Sequence, residues 1–392
     1  MSLSQQPRPD HDARFNMRLG VVTHVPHWVR PSEGVWAYEP YVREMHVWAK
    51  LFRTVYVCAP IAEGPMRGNQ APYGSPNIGC RLTRYSSVNN TAGQARRLAQ
   101  LPALVGALCG LLRRSDFVLL RSPGHPALIA RLLADVLRVP HITKWAGFFG
   151  AFAGERFPRR VERRLVGLSR QPVLVYGPVE RLPFISFVPA VMSGEELSRA
   201  RELQECRAWG PPWRLLSVGR LSDEKGFDLA LRGLARFREL APDLSWTFTL
   251  IGDGLAAPAL RELAQELGIG DRVAFRGALN FETVQEHYAR AHAVIMPGVQ
   301  EGWPKPIVEA WAHGAVAIAA VGGIVPWIMQ DPNAGVTFAP AADGLATALM
   351  KLFSDPHGME RMSRRGPELA QQLSLESFAT RLERVLVESC GL

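Results

Sequence analysis

Short apolar runs alternate with helical patterns along this chain, and the alternation is interrupted once, at Trp209-Gly210-Pro211-Pro212. Before the break, residues 17–24, 54–59, 78–85, 117–121, 141–145, 172–176 and 184–189 read as strands, and 36–51, 94–112, 127–137 and 156–168 as helices. After it, strands are expected over 214–218, 246–251, 272–275, 293–296, 315–319 and 336–338, with helices over 228–240, 257–267 and 281–291. Such alternation requires largely parallel sheets covered by helices on both faces. A chain of 392 residues is long for one core, so two domains are expected. The reading is α/β: a polar, disordered leader over 1–16, a Rossmann-like domain over 17–205, a second over 206–374, and a helix over 375–392 packing back on the first. Two such domains facing each other would leave a central cleft, where a ligand belongs.

Charge divides unevenly between the two halves. Residues 1–210 hold 28 Lys and Arg against 15 Asp and Glu, a formal +13, whereas 211–392 hold 17 against 21, or −4. The basic half therefore calls for an anionic partner. Its arginines are not interleaved with aromatics and no recognition module is visible, which argues against nucleic acid. Arg159, Arg160, Arg163, Arg164 and Arg170 fall on or beside one expected helix, the pattern of a segment attracted to anionic headgroups. The apolar stretch 101–112 is too short to span a bilayer and reads as a core helix or one lying at a membrane surface. Five scattered cysteines without paired spacing, and no secretory signal, point to a reducing, cytoplasmic setting.

Chemistry concentrates at the ends of expected strands in the second half. Gly219-Arg220-Leu221-Ser222-Asp223-Glu224-Lys225-Gly226 links a strand to a helix. Arg220 and Lys225 could both grip a diphosphate across that turn; equally, it could be an ordinary turn with solvated charges. It is neither a Walker A loop nor a dinucleotide fingerprint. Gly252-Asp253-Gly254 follows the next strand. Glu301-Gly302-Trp303-Pro304-Lys305-Pro306-Ile307-Val308-Glu309 joins a strand end to a helix start, with acids in the loop and about one turn into the helix. A helix N-terminus at that place offers backbone N–H groups to phosphate, and its dipole alone would favour an acid such as Glu309. The only Asp-x-Asp, Asp10-His11-Asp12, lies in the leader, so no metal site is expected.

Taken in order, Gly219–Gly226, Gly252–Gly254, Glu301–Glu309 and Gly322-Gly323 resemble the C-terminal domain of retaining glycosyltransferases of family 4, which have the GT-B fold. The resemblance covers roughly 213–385 by motif and the N-terminal half by layout. It implies that Arg220 and Lys225 neutralise the departing diphosphate in place of a divalent cation, that Glu301 contacts the donor sugar, and that Glu309 accepts hydrogen bonds from ribose hydroxyls. Gly219, Gly252, Asp253, Gly254, Gly302 and Trp303 would line the donor, Arg276 would edge the base, and Lys305 would add to the cationic field. The N-terminal half departs from the pattern. Gly34 is its one glycine where the family often has a Gly-Gly loop, and His125 is shifted from the family's cleft histidine or serves only to cap a helix. Lys144 ends a strand and could face the cleft. Trp327 stands where many relatives carry an acid. The implied activity is metal-independent transfer of a hexosyl unit, with retention, from a nucleotide-diphosphate sugar (UDP or GDP) to an acceptor hydroxyl. The acceptor would be a lipid-linked or membrane-associated glycan or a small molecule, used by a cytoplasmic enzyme peripheral on the inner face of the membrane. The competing reading is a non-catalytic GT-B protein that binds a nucleotide sugar or scaffolds glycan assembly.

Overall fold

The computed structural model describes residues 7–392 except 32, 63, 65, 67–68, 86–90, 152–154, 156, 180–181, 205–206 and 208, and only the backbone of 91–96. Its contacts divide the chain into one unit of Met1–Val188 with Ala379–Leu392, and a second of Pro189–Phe378.

The first unit is built on a seven-stranded parallel sheet. Across the sheet the strands run Phe184–Ser186, Val173–Tyr176, His141–Phe148, Phe117–Ser122, Phe15–Val22, Phe52–Pro60 and Ile78–Thr83. The second unit has six parallel strands in the order Val273–Gly277, Trp246–Ile251, Trp213–Val218, Ala293–Met296, Val316–Ala320 and Gly335–Phe338. Each sheet therefore winds outward from its first strand in one direction and then, from its fourth, in the other. This doubly wound order places a topological switch point between the first and fourth strands of each sheet, where the connections part to opposite sides. Val173–Tyr176, Ala293–Met296 and Val316–Ala320 are buried at every position, as strands covered on both faces must be.

Helical spacing supplies the cover. Phe227–Leu240 buries Phe227, Ala230, Leu231, Leu234 and Phe237 along one stripe. Gly233 on that helix lets Leu345 of helix Ala342–Ser354 close in, since a Cβ would lie 2.6 Å from the leucine side chain. The expected apolar stretch 101–112 lies in helix Thr91–Leu112, where Leu104, Leu108, Leu111 and Leu112 pack against Val22, Val118 and Leu120. It is a core helix.

Several boundaries differ from expectation. The leader is not free throughout: Arg8 N–H donates to Pro76 O at 2.8 Å, Asp10 N–H to Arg53 O at 2.8 Å, and Arg14 pairs with Glu383 at 2.8 Å. Residues 1–6 lie outside the described residues. The helix expected over 36–51 begins only at Glu39, with Pro40 in its first turn. Residues 36–38 belong instead to a small antiparallel sheet of His27–Arg30, Gly34–Tyr38 and Gln70–Pro72. The unit boundary falls at Val188 rather than 205, because helix Gly194–Gln204 sends Leu197 and Ala200 into the second unit's core beside Leu216 and Trp311. Helix Leu375–Cys390 begins in the second unit, with Leu375 N–H donating to Met192 O, and its residues from Ala379 onward belong to the first.

Candidate functional site

The candidate site grows from the switch point of the second unit. Strand Trp213–Val218 and strand Ala293–Met296 are hydrogen-bonded neighbours there, and the two motif loops leave their carboxyl ends side by side. After Gly219 the chain makes a single 3-10 turn, Asp223–Lys225, closed by Gly226 at φ 66°. A side chain at Gly226 would be both strained and 3.1 Å from Pro297 O. The turn thus lies flush against the loop 297–304. Gly252 and Gly254 are explained in the same way. Their Cβ atoms would fall 1.8 Å from Gly219 O and 2.1 Å from Leu221 O. Backbone meets backbone there, with Leu221 N–H donating to Asp253 O at 3.0 Å. Asp253 is exposed, and its carboxylate accepts from Gly254 N–H at 2.8 Å.

This packing brings two of the expected residues together. Lys225 Nζ donates to Glu301 Oε1 at 2.7 Å, across 76 positions of sequence. Glu301 is 9% exposed, while the Lys225 side chain keeps 29% of its surface. A Cβ at Gly298 would sit 2.9 Å from that same carboxylate oxygen, and one at Gly323 would sit 2.9 Å from Glu301 O. The Gly322-Gly323 loop is therefore a wall against which the acidic loop is set. Trp327 follows it on the short helix Val325–Ile328. Arg220 does not join the pair. It is exposed and held by Glu224 at 2.7 Å, one helical turn along. Arg220 and Lys225, expected to grip one diphosphate, are thus each paired with a carboxylate, Arg220 at the surface and Lys225 on the part-buried Glu301.

Glu309 has a partner that the motif does not reveal. Helix Lys305–Ala312 opens with Lys305, after half-buried Gly302 and Trp303 and a turn in which Lys305 N–H donates to Trp303 O. Its fifth residue, Glu309, accepts a hydrogen bond from Tyr288 Oη at 2.6 Å. Tyr288 is wholly buried, and burial first, then the Glu309 charge, push its pKa well above 10.0. The phenol thus remains a donor and fixes one carboxylate oxygen. The His313 ring stacks on Tyr288 at 5.6 Å, with Nδ1 at 2.8 Å from Glu309 O. Burial holds this histidine down at about 4, so it is neutral and donates from Nδ1. Beneath them, Arg207 donates to the carbonyls of Tyr288, Ala289, His313 and Gly314 at 2.5–3.3 Å. These carbonyls lie at the C-terminal ends of two helices, where a cation is favoured. Sequence spacing singles out none of Tyr288, His313 or Arg207, because the contacts run between elements.

The remaining expected residues are placed as follows. Arg276 is exposed at the end of edge strand Val273–Gly277, and the adjacent Gly277 O accepts from Gly252 N–H at 2.8 Å. Gly34, at φ 87°, turns the hairpin between His27–Arg30 and Gly34–Tyr38; it is not in a strand-to-helix loop. His125 is the exposed first residue of helix His125–Leu137. It follows the fourth strand of its sheet, at the first unit's switch point. There Gly124 packs against His24, a residue the motifs did not flag, so closely that an added Cβ would lie 3.0 Å from Nδ1. Lys144 is fully buried, with Nζ 2.6 Å from Glu44 Oε2 and Arg121 3.4 Å from the same oxygen. Burial alone would raise the Glu44 carboxyl, but the Lys144 and Arg121 charges outweigh it and hold it below the usual range. Lys144 is thus part of an internal ion cluster rather than an open surface. Among the described residues, no group of three or more His, Cys, Asp or Glu is placed to hold a metal ion, and no helix is long and apolar enough to cross a membrane.

Comparison with known proteins bears on both units. Residues 201–369 match the family model described as Glycosyl transferases group 1. Among curated relatives, an alpha-D-kanosaminyltransferase of Streptomyces kanamyceticus is 25% identical over 67% of this chain and 67% of its own. The lipopolysaccharide core biosynthesis glycosyltransferase LpsE of Rhizobium meliloti is 29% identical over 42% of this chain and 46% of its own. The first relatives are matched over 36% to 67% of their length. In fold, the chain is similar to sucrose-phosphate synthase from Thermosynechococcus elongatus, with a TM-score of 0.71 and 17% identity over 94% of this chain and 98% of that one. It is also similar to Anabaena HepE in complex with UDP and glucose, with a TM-score of 0.68 and 15% identity over 95% and 99%.

Proposed function

We propose, from the premise that residues 201–369 belong to the glycosyl transferases group 1 family and that the chain has the GT-B fold, that this protein transfers a hexosyl unit from a nucleotide-diphosphate sugar to an acceptor hydroxyl with retained configuration. The observation that carries the reading is the Lys225–Glu301 pair at the switch point, 2.7 Å apart and still open to solvent on the lysine side. An ammonium so placed can exchange part of its contact with Glu301 for a diphosphate oxygen, and negative charge grows on that diphosphate as the glycosidic bond breaks. Glu301, released in part, is left beside the reacting sugar as a hydrogen-bond acceptor. Glu309, oriented by the Tyr288 hydroxyl on one of its oxygens, accepts from a ribose hydroxyl. No strong protein base is needed where the leaving phosphate itself helps to deprotonate the acceptor, so the step is proposed to proceed on the front side and without a metal. The UDP complex of HepE supports UDP as the first donor nucleotide to try.

The acceptor is proposed to be a lipid-linked or membrane-associated glycan, handled by the basic first unit at the cytoplasmic face of a membrane. That view is supported by the +13 charge of residues 1–210 and by the likeness to LpsE. A thermal-shift panel of UDP- and GDP-sugars tests the donor: one sugar nucleotide should raise the melting temperature through linkage. Anomeric analysis of the product tests the mechanism, and an inverted linkage would refute it. The second reading, a nucleotide-sugar-binding scaffold, is favoured by one observation: both expected diphosphate cations are already paired, Arg220 with Glu224 and Lys225 with Glu301. Slow donor hydrolysis that disappears in Lys225→Ala supports the enzyme, whereas binding without turnover supports the scaffold.

A further inference from the structure

Helix Phe157–Gly167 is strongly amphipathic, yet its polar and apolar faces are arranged against the usual sense. The side turned to the protein buries Glu162 and Val166. Glu162 accepts from Gly124 N–H through both carboxylate oxygens, at 2.8 and 2.9 Å. Arg163 makes a two-pronged pair with the buried Glu155, at 3.0 and 2.9 Å, and Arg159 donates to Phe148 O at 2.8 Å. The side turned to water carries Phe157, Val161 and Leu165, spaced four apart, with Leu168 just beyond the helix; they are 74%, 36%, 38% and 78% exposed. Arg160 and Arg164, also exposed, flank that row along one edge, although Arg160 reaches back to Glu155, 3.5 Å from its carbonyl oxygen and 3.9 Å from its carboxylate. Helix His125–Leu137 is tied to it by Arg131 donating to Leu165 O at 2.9 Å, and has exposed apolar residues of its own in Leu132 and Val136, at 56% and 79%. A row of exposed apolar side chains on one helix face, flanked by charge, marks an interaction site, unlike single scattered ones.

We propose that this face docks the protein on an anionic lipid bilayer. The apolar row would enter the interface while Arg160 and Arg164 extend sideways to the headgroups. Charge decides the occupant. The only carboxylate on helix Phe157–Gly167 is turned inward at Glu162, whereas helix His125–Leu137 keeps an exposed Asp135 beside Val136. The outward face of helix Phe157–Gly167 thus offers cations and hydrocarbon, which complement a negatively charged membrane. The inference sharpens the membrane-associated acceptor proposed above by naming the surface, and it does not depend on the sugar-transfer chemistry.

Flotation of the full chain with phosphatidylcholine vesicles, with and without phosphatidylglycerol, tests it. Binding should be strong only to the anionic vesicles and should weaken as salt rises. Phe157→Ser with Leu168→Ser should reduce binding at least tenfold at low salt, and Arg160→Gln with Arg164→Gln should erase the preference for anionic vesicles. Phe157, Leu168 and Arg164 are exposed, and Glu155 keeps its two-pronged pair with Arg163 when the long Arg160 contact is lost, so both variants should keep close to the wild-type melting temperature and its shift with the donor. A wild-type protein that ignores anionic vesicles at low salt overturns the proposal, as do variants that bind unchanged. A dimer in sedimentation velocity that the Phe157→Ser, Leu168→Ser variant dissociates also overturns it, assigning the face to a second copy. Absence of any donor shift would count against the transferase reading while leaving the vesicle result to stand by itself.

Discussion

Replacing Lys225 by Met keeps the aliphatic stem and removes only the ammonium that lies 2.7 Å from Glu301. At an effective dielectric of about 20, the bare attraction at that distance is roughly 6 kcal/mol. Lost hydration and the 29% exposure of Lys225 reduce the net structural cost to about 1–2 kcal/mol. Chemistry should suffer more, since removing one fixed stabiliser of developing negative charge costs about 10²–10³ in kcat, or roughly 2.7–4 kcal/mol. A double-mutant cycle with Glu301→Gln separates the two effects. The double variant, carrying Lys225→Met together with Glu301→Gln, should regain most of the lost stability in urea unfolding, because no carboxylate is left unpaired. Its transfer rate should nevertheless stay as low as that of the single Lys225 variant. Initial rates of product formation at saturating donor provide the assay. If the double variant recovers turnover along with stability, the lysine acts only as Glu301's structural partner and the catalytic reasoning is wrong.

Other residues make separate predictions. Tyr288→Phe should release the Glu309 carboxylate and raise the donor KM about fivefold, roughly the worth of 1 kcal/mol, with kcat little changed; a donor lacking the ribose hydroxyls should show no such change, and an equal change for both donors would refute the positioning role. Arg207→Met takes the guanidinium from the Ala289, His313 and Gly314 carbonyls and should destabilise the second unit by about 3–5 kcal/mol, read as a lower urea midpoint; a near-native midpoint would mean that water replaces the guanidinium. Burial holds His27 and His313 at about 4 against an ordinary 6.5. The unfolded chain therefore takes up protons below 6.5 that the folded chain refuses, so stability is complete above about pH 7 and falls as pH drops toward 4, by about 2 kcal/mol per histidine at pH 5. His27→Gln should flatten that slope in denaturation measured from pH 7 to 5, and an unchanged slope would refute the assignment.

Much of the fold could be read from local pattern. Strand and helix alternation is written in nearest-neighbour chemistry, so the parallel sheets and most element positions follow from spacing alone. Misreadings arose where a contact from elsewhere decides. Residues 36–38 have a helical look but pair with His27–Arg30 and Gln70–Pro72. Lys144 looks like a strand-end cation free to meet a ligand, and only the arrival of Glu44 from helix Glu39–Leu51 shows it as buried.

For the site, the sequence by itself determined the loops: glycines that permit close backbone approach, an acid in a strand-end loop, and a second acid in the helix that follows. Each is a local requirement, so each leaves a local mark. Tertiary structure alone decided who faces whom. The doubly wound order makes neighbours of strands Trp213–Val218 and Ala293–Met296, and so sets Lys225 on Glu301, leaves Arg220 with Glu224, and places Tyr288 on Glu309. Electrostatic and hydrogen-bond partners are selected by distance in space, and across 76 positions of chain that distance is set by sheet topology, which residue spacing does not encode.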